Sequence, residues 1–594
     1  MNATPLVLLD SFSTRHNSSS YRFDGFVEEI VAHAADEVLP ALRRVEAAVA
    51  EGLHAAGFVS YEAAPGVGTG LPTHSPGPTP LVWFGLFRRR SGFAPRLHGG
   101  DDKEHAAGYE TTDWASSLDP EVYGAMVGRI QEYIVAGDTY QVNYTLHQHF
   151  RLSGDFPLYY QDLCLSQKAS YCAFIDTGRF QVLSASPELF FELKDGVITC
   201  RPMKGTARRG RWLGEDETIK EQLRESEKER AENLMIVDLL RNDMGKVAET
   251  GSVRVKSLFD VETLETVHQM TSTITARVRD DAGLVDIFQA LFPCGSVTGA
   301  PNKRSMEIIR ELEGSPRGLY TGCIGYVSPS AGKAGSCDAV FSVAIRTAII
   351  DTATGRGELG IGSAITIGSE AGAEYDECLS KGSFARRVIP EFQLVETMLH
   401  EEGTGYFLLE RHLARLSRSA DYFRFPLRLG QIALVLEHRA VPLAGFTKVR
   451  LLVNRKGAFT IQTESLAPSA TEEMVPVALN PAPVDSADPF LYHKTTHRSF
   501  YRSALDLHPS CGDLLFVNER GEVTEGANHN LVVRLDGELV TPPLSSGILP
   551  GTFRAELLSQ GEIGERVMTP ADLARAEEIW LINSVRRWRR AKLQ

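Results

Sequence analysis

The 594-residue chain is longer than one hydrophobic core can organise, and its length corresponds to about four domain-sized units grouped into two modules. Hydrophobic residues at 43% and charged residues at 23% exclude a disordered chain, and a net charge of −14 argues against nonspecific binding to nucleic acid or anionic membrane while leaving room for a local basic pocket. Its eight cysteines stand singly without a C-x-x-C pair, the N-terminus lacks a basic region, and no apolar run approaches the length of a membrane span, so a cytoplasmic protein with no disulfide framework, zinc site, export or membrane segment is expected.

Residues 1–60 read as short strands around an amphipathic helix over 26–50. Nine of the sixteen residues 65–80 are Gly or Pro, which makes a loop and not a domain boundary, because a strand-like run resumes at 81–87. Asp119 caps a helix with Pro120 at its first position and Gly137 at its end; Val122, Met126, Ile130 and Ile134 predict its buried stripe. Gln141 follows in Gly-Asp-Thr-Tyr-Gln-Val-Asn and, alone, reads as a strand residue with a satisfied amide.

The run 182–191 reads as a strand broken at Pro187, with 196–200 as its hairpin partner after Lys-Asp-Gly. Glu188 and Lys204 then leave neighbouring strands near one sheet end. A Lys-Gly pair inside a sheet is unusual, because an ammonium is costly to bury and Gly205 weakens the strand, so close approach of a ligand is expected. Taken alone, a surface hairpin with a Glu–Lys pair satisfies the same residues. Farther on, Glu229 and Glu232 share one face of a charge-rich helix whose Met235, Ile236, Leu239 and Leu240 form the core face. Glu377 and Lys381 are spaced i,i+4, worth roughly 0.2–0.5 kcal/mol if they form only a surface ion pair. Between these helices stand His268, which alone reads as a satisfied core histidine, the run Gly295-Ser296-Val-Thr298-Gly299, and Arg346, a bidentate donor.

Together, Ser184-Ala-Ser-Pro-Glu-Leu-Phe190, Pro202-Met-Lys-Gly-Thr-Ala-Arg-Arg-Gly210 and the Gln141 motif resemble the chorismate-utilising enzymes, specifically the aminodeoxychorismate synthase branch. Anthranilate synthases carry alanine at the place of Lys204. Isochorismate and salicylate synthases carry, at the place of Gln141, a lysine that activates water; an amide cannot take that proton, so an amine nucleophile is expected here. The resemblance implies a mixed α+β and α/β multidomain chain. Its first module would be an anthranilate-synthase-like two-subdomain β-sandwich with flanking helices, with residues 1–118 as its N-terminal part and 119–388 as its chorismate-binding part. It further implies Glu188, Lys204 and His268 as catalytic residues. Gln141, Ser296, Thr298, Gly299, Arg346, Gly362 and Lys381 would bind substrate, and Glu232 and Glu377 would hold Mg²⁺, a hard ion that suits carboxylate oxygens. One departure is Asn302 where the family carries lysine, so Lys303 does not inherit that lysine's role.

The second module is expected over residues 391–594. Leu409, Leu413 and Leu416 predict an amphipathic helix that also carries Arg415. The ordered set Lys494, Glu525, Gly551-Thr552-Phe553 and Ser584 resembles the fold-type IV pyridoxal-phosphate enzymes, which include aminodeoxychorismate lyase and the branched-chain and D-amino-acid aminotransferases. The resemblance implies Lys494 as the covalent anchor of pyridoxal phosphate and Glu525 as the carboxylate that pairs with its ring nitrogen. Arg415, Thr552, Phe553 and Ser584 would hold the phosphate.

Two functions remain open at this point. One is formation of 4-aminobenzoate from chorismate in two steps, a synthase fused to a lyase, with ammonia from a glutamine amidotransferase subunit in trans, since no cysteine stands in a G-x-C-x-G elbow. The other is an anthranilate synthase fused to a branched-chain or D-amino-acid-type aminotransferase, which Lys204 disfavours. A catalytically dead scaffold would require the loss of Glu188, Lys204 or Lys494, and all are present. A homodimer through the C-terminal module is compatible with the second resemblance.

Overall fold

The computed structural model describes residues 4–12, 19–68, 70–94, 108–332, 336–386, 391–440, 443–467 and 474–594. The chain divides into two compact units, one of Met1–Arg208 with Lys220–Ile389 and one of Arg209–Ile219 with Pro390–Gln594. The junction expected at 388–391 falls largely on residues outside those described.

In the first unit, 18 strands are joined by hydrogen bonds into one sheet system, and strands from both sides of residue 118 take part. The break at Pro187 is real: Phe180–Ser186 ends before it and Leu189–Lys194 begins after it, because proline cannot donate to a ladder. Leu189–Lys194 turns into Val197–Arg201, with Val197 opposite Lys194. Both Val197–Arg201 and the next strand, Met203–Arg208, pair with Val267–Arg277. The long strand Gln141–Gly154 pairs with Arg356–Ile365, placing Gly362 opposite Thr145. Phe190, Phe191, Phe288, Phe292 and Phe341 interlock in the core behind the Glu188 loop.

Two local expectations change. Residues 26–32 belong to the strand Ser20–Ala32, paired with Val82–Phe93, and the helix is Ala35–Ala50. Its start is set by Glu37, whose carboxylate accepts from the His33 and Ala34 amides at 2.7 and 3.0 Å. The helix Pro120–Val135 is capped by Asp119, which accepts from the Val122 amide at 2.9 Å. Of its expected stripe, Ile130 is buried and Met126 and Ile134 pack on the same core, but Tyr123 and Val127 are buried with them and Val122 is 44% exposed. Tyr123 turns inward because its hydroxyl has a buried partner, Ser363 Oγ at 2.9 Å.

The second unit holds a four-stranded sheet, with Leu394–Glu401 and Phe446–Val453 at its centre, and an eight-stranded sheet that includes Val523–Gly526 and Asn530–Leu535. The amphipathic helix is Leu409–Phe423, with Leu416 buried and Leu409 and Leu413 packed on the same core.

Candidate active sites

In the first unit, Glu188 occupies the turn between two strands and Lys204 lies on Met203–Arg208; both are buried. Glu188 Oε1 accepts from Ser296 Oγ at 2.6 Å and from the Met203 amide at 3.5 Å. Burial nevertheless pushes its carboxyl up to about 7, against those hydrogen bonds and the Lys204 charge. Lys204 is pushed below the ordinary lysine range by burial, while Glu232, Glu188 and Glu229 pull it upward and Lys381 adds to the lowering. The strand beneath it is fixed by Asn233 Nδ2, which donates to the Lys204 carbonyl at 3.1 Å, and by Ser272, whose hydroxyl donates to Asn233 Oδ1. The reason for Gly205 is its own backbone: its φ is +96°, and a β-carbon would meet Glu229 Oε2 at 3.1 Å and Met270 Cβ at 3.2 Å.

The remaining predicted residues cluster in two groups. Gln141 and Val142 pair with Ala300 and Gly299, and the Asn143 amide donates to the Thr298 carbonyl at 2.8 Å. The Thr298 hydroxyl donates to the Cys294 carbonyl at 3.2 Å, so it shapes its own turn. Gln141 is buried and its Oε1 has no hydrogen-bond partner. Elsewhere, the helix Ala371–Gly382 places Lys381 Nζ 3.0 Å from the Gly362 carbonyl and 2.7 Å from Glu377 Oε1. Arg346 donates to the Lys381 carbonyl, and burial lowers its guanidinium to about 10. His268 is fully buried beside Ala207, with Nδ1 3.1 Å from Thr263 Oγ1.

Glu229 and Glu232 lie on the helix Glu227–Gly245, as the spacing required. Glu229 is raised first by burial and then by the charge of Glu232, with Lys228 and Lys204 acting against them and Glu377 adding a smaller push upward. Among the described residues, no three His, Cys, Asp or Glu side chains converge as a ready-made metal site. Carboxylate oxygens are the donor type Mg²⁺ takes, but the ligands are not drawn together. Glu229 was read only for its spacing; its part in the charge cluster depends on Glu377, which is far away in sequence.

In the second unit, Lys494, Glu525, Arg415, Thr552 and Ser584 line one cavity of about 560 Å³. Lys494 is held by the small sheet, where the Val395 amide donates to its carbonyl at 2.9 Å. Burial, then Arg498 and Arg415, lower its amine to about 7. Glu525 is pushed by burial up to about 8, and its Oε2 accepts from Asn530 Nδ2 at 2.8 Å. The helix Thr552–Gln560 begins at the cavity wall, which Gly551 and Thr552 line; the Gly551 amide already donates to the Leu549 carbonyl at 2.8 Å. Ser584 Oγ donates to the Thr397 carbonyl at 3.4 Å. Phe553 is buried against Phe407 and Trp588, so only its backbone is available to a phosphate. An amine that loses its proton near neutrality, a buried carboxyl ready to pair with a pyridinium, and a helix N-terminus together fit pyridoxal phosphate.

Sequence reasoning missed the residues that hold this wall. Glu396, in the strand Leu394–Glu401, accepts from Arg415 Nε and Nη2 at 2.9 and 2.7 Å and sits 2.6 Å from His412 Nδ1. Burial works to raise its carboxyl, but Arg415 and His412 outweigh it and hold it down to about 2. Arg415 also donates to the Pro550 carbonyl at 3.3 Å, just ahead of the helix start. The i,i+3 spacing of His412 and Arg415 on one helix face was the available signal.

A buried acid beside a buried amine on this sheet, followed by a lysine–carboxylate cavity, defines a two-site enzyme. Residues 7–387 match the family described as chorismate binding enzyme, and residues 393–593 match the one described as amino-transferase class IV, whose cofactor is pyridoxal phosphate. The chain belongs to the chorismate binding enzyme family and carries a class IV amino-transferase domain after it. It is similar to aminodeoxychorismate synthase component 1 of Klebsiella aerogenes, 43% identical over 273 residues that cover 46% of this chain and 58% of that protein. It is also similar to anthranilate synthase component 1 of Aquifex aeolicus (strain VF5), 40% identical over 239 residues that cover 40% of this chain and 47% of that protein. In structure it resembles anthranilate synthase component I from Streptococcus pneumoniae TIGR4, with a TM-score of 0.53 at 26% identity, covering 63% of this chain and 93% of that one. The anthranilate-synthase-like fold expected for the first module is therefore present. The chain spans about half the length of these sequence relatives. No helix among the described residues is long and apolar enough to cross a membrane.

Proposed function

We propose that the chain makes 4-aminobenzoate for folate synthesis in two steps, converting chorismate and ammonia to 4-amino-4-deoxychorismate and then releasing pyruvate from it. The observation that carries this reading is the pairing of Glu188 and Lys204: burial raises the acid to about 7, so it can hold the proton that a leaving hydroxyl needs, and burial lowers the amine, which eases loss of its proton. The Lys204 amine attacks C2 of chorismate, the ring double bonds shift, and the C4 hydroxyl leaves as water with the proton from Glu188. Ammonia then adds at C4, the double bonds shift back, and Lys204 departs as the free amine. Ser296 orients the Glu188 carboxyl through its 2.6 Å hydrogen bond, and Arg346 and Lys381 supply positive charge for the substrate's carboxylates. Gln141 leaves no base for water, and His268 lines the reacting face. Glu232 and Glu377, with Glu229 beside them, would hold Mg²⁺, whose charge would neutralise a ring carboxylate.

In the second step, bound pyridoxal phosphate supplies an electron sink. Lys494 would anchor the cofactor, and its amine, when free, would take the proton from C4 of the substrate. The enolpyruvyl group then leaves as pyruvate and the ring becomes aromatic. Glu525 would keep the cofactor's ring nitrogen protonated, while Arg415 and the amides of Thr552 and Phe553 at the helix start would hold the phosphate. Ammonia comes from a glutamine amidotransferase subunit in the cytoplasm, and the C-terminal unit forms a homodimer. The lyase outcome is favoured over transamination because the first unit makes the lyase's substrate in the same polypeptide.

The deciding experiment is to incubate the purified chain with chorismate, Mg²⁺, ammonium and pyridoxal phosphate, separate the aromatic product by chromatography and assay pyruvate. A product with the retention of 4-aminobenzoate is expected, with glutamine alone inert. Anthranilate, an isomer of the same mass, would overturn the first step. Efficient transamination of branched-chain or D-amino acids, with aminodeoxychorismate left untouched, would overturn the second.

A further inference from the structure

The class IV match begins at residue 393, yet the compact unit that holds Lys494 also contains Arg209–Ile219, a segment inside the span matched by the other family. The segment is a tight turn that opens into the helix Leu213–Glu225. Arg209 Nε and the Gly210 amide donate to Asp216 Oδ1 at 2.8 and 2.7 Å, and Arg211 donates to Glu215 through its amide at 2.6 Å and through Nη2 at 2.8 Å. At Gly210 a β-carbon would stand 2.2 Å from the Asp216 nitrogen, so the turn closes only on glycine.

Two sets of contacts run from this turn to the residues just before Lys494. In the first, Arg209 Nη2 donates to the Tyr422 carbonyl at 3.0 Å, its guanidinium lies 4.6 Å over the Tyr422 ring, and the Tyr422 hydroxyl donates to the Gly210 carbonyl at 2.7 Å. Tyr422 stacks on His493 at 4.4 Å, and His493 Nδ1 is 2.9 Å from Ser419 Oγ. In the second, the Trp212 ring packs 5.0 Å from that of Tyr492, and Arg211 Nη1 donates to the Tyr492 hydroxyl at 3.2 Å. Tyr492 and His493 are buried and directly precede Lys494, whose carbonyl is tied to Val395. Burial lowers His493 to about 3, so it stacks as a neutral ring throughout the working pH range.

We propose that Arg209–Ile219 is a positioning element of the pyridoxal-phosphate site: Arg209 and Trp212 clamp Tyr422, Tyr492 and His493, and through them fix where Lys494 presents its amine. A lysine that must meet one atom of a cofactor needs its backbone held to a fraction of an ångström, and here the support comes from a segment outside the class IV sequence. The inference rests on the pyridoxal-phosphate reading of the cavity.

The test uses the full-length chain with Trp212→Ala, Arg209→Ala, the conservative Trp212→Phe and, as a control, Lys494→Ala. Wild-type protein stripped of cofactor and titrated with pyridoxal phosphate should develop a visible absorbance band that Lys494→Ala lacks; without that difference the cofactor reading itself fails. Given the band, Trp212→Ala and Arg209→Ala are expected to bind pyridoxal phosphate about tenfold more weakly, to shift the band, and to lower kcat for pyruvate release more than they raise KM. Chorismate consumption with ammonium should stay at the wild-type rate, and Trp212→Phe should recover most of the loss. Wild-type affinity and band in both alanine variants would overturn the proposal. So would a parallel loss of chorismate consumption, which would mark a general folding defect.

Discussion

Each half of the chain buries a lysine, and the two lysines lose their protons in opposite company. Around Lys494, burial is reinforced by Arg498 and Arg415, which outweigh Glu396 and Glu525 and bring the amine to about 7. Around Lys204, burial is opposed by Glu232, Glu188 and Glu229, with Lys381 the cation that assists. The Lys494 amine therefore exchanges its proton near neutral pH, with a substantial fraction free before any ligand arrives. Lys204 competes for its proton with carboxylates, and its nucleophilicity rises when those carboxylates are neutralised by a proton on Glu188 or a cation on the others. The C-terminal site is poised in advance, and the N-terminal site is completed by what binds there.

The largest expected effects separate the two lysines. Lys204→Ala should lower aminodeoxychorismate formation by at least about 10³-fold and open a route to anthranilate, as loss of a covalent nucleophile does. Lys494→Ala should still consume chorismate, accumulate aminodeoxychorismate and release no pyruvate. Chromatography with a coupled pyruvate assay distinguishes the two, and full activity in Lys204→Ala would remove the covalent route.

Next in size is Glu188→Gln, which keeps the shape and removes the acid. A loss of about 10²–10⁴-fold is expected for a general acid. Because the carboxyl titrates near 7 in the folded chain, the wild-type first step should slow as pH rises through 7, when the proton needed by the leaving hydroxyl is gone. That alkaline decline should be missing from the residual activity of Glu188→Gln; an identical pH profile would show that another group is the acid.

Glu377→Gln probes the carboxylate side of the comparison more gently. The Mg²⁺ concentration for half-maximal synthase activity should rise about 10–100-fold, together with the KM for chorismate. An unchanged metal titration would free Glu377 from that role and leave it as the partner of Lys381, 2.7 Å away.

How far the sequence could carry this reading depended on the kind of residue. Glu188, Lys204, Lys494 and Glu525 were legible because each is a chemically demanding residue inside an ordered motif. Glu396 was not, since it is an ordinary polar residue until folding brings it to Arg415. The inward turn of Tyr123 depended on Ser363, more than two hundred residues away, which is why Tyr123 and not Val122 opens the buried face of that helix. The Arg209–Ile219 segment was hidden for another reason: Arg209 and Gly210 close the run Pro202–Gly210 that carries the first resemblance and had no role of their own in it, whereas in the fold they grip Tyr422.

The smallest predicted effect sharpens the cationic side of the comparison. Arg498 follows burial as the cause that lowers Lys494, and its guanidinium lies 4.4 Å over the Tyr501 ring and donates to the Ala527 carbonyl. Arg498→Gln keeps a hydrogen-bond donor and removes the charge, so the Lys494 amine should move up by about one pH unit from its value near 7. The sign follows from proton counting. A lysine held below its unfolded value of 10.5 binds fewer protons in the native state, so native stability falls as pH drops from about 10.5 towards 7. Raising the folded value narrows that window and makes Arg498→Gln slightly more stable near neutrality, provided its contacts with Ala527 and Tyr501 are replaced. Capture of added pyridoxal phosphate by stripped protein, followed by visible absorbance, should slow at pH 7 because more of the amine is protonated, and its midpoint should shift upward in pH. Chorismate consumption should not change. If the capture midpoint stays where it is in wild type, burial alone sets the amine, and the arginines serve only to bind anions.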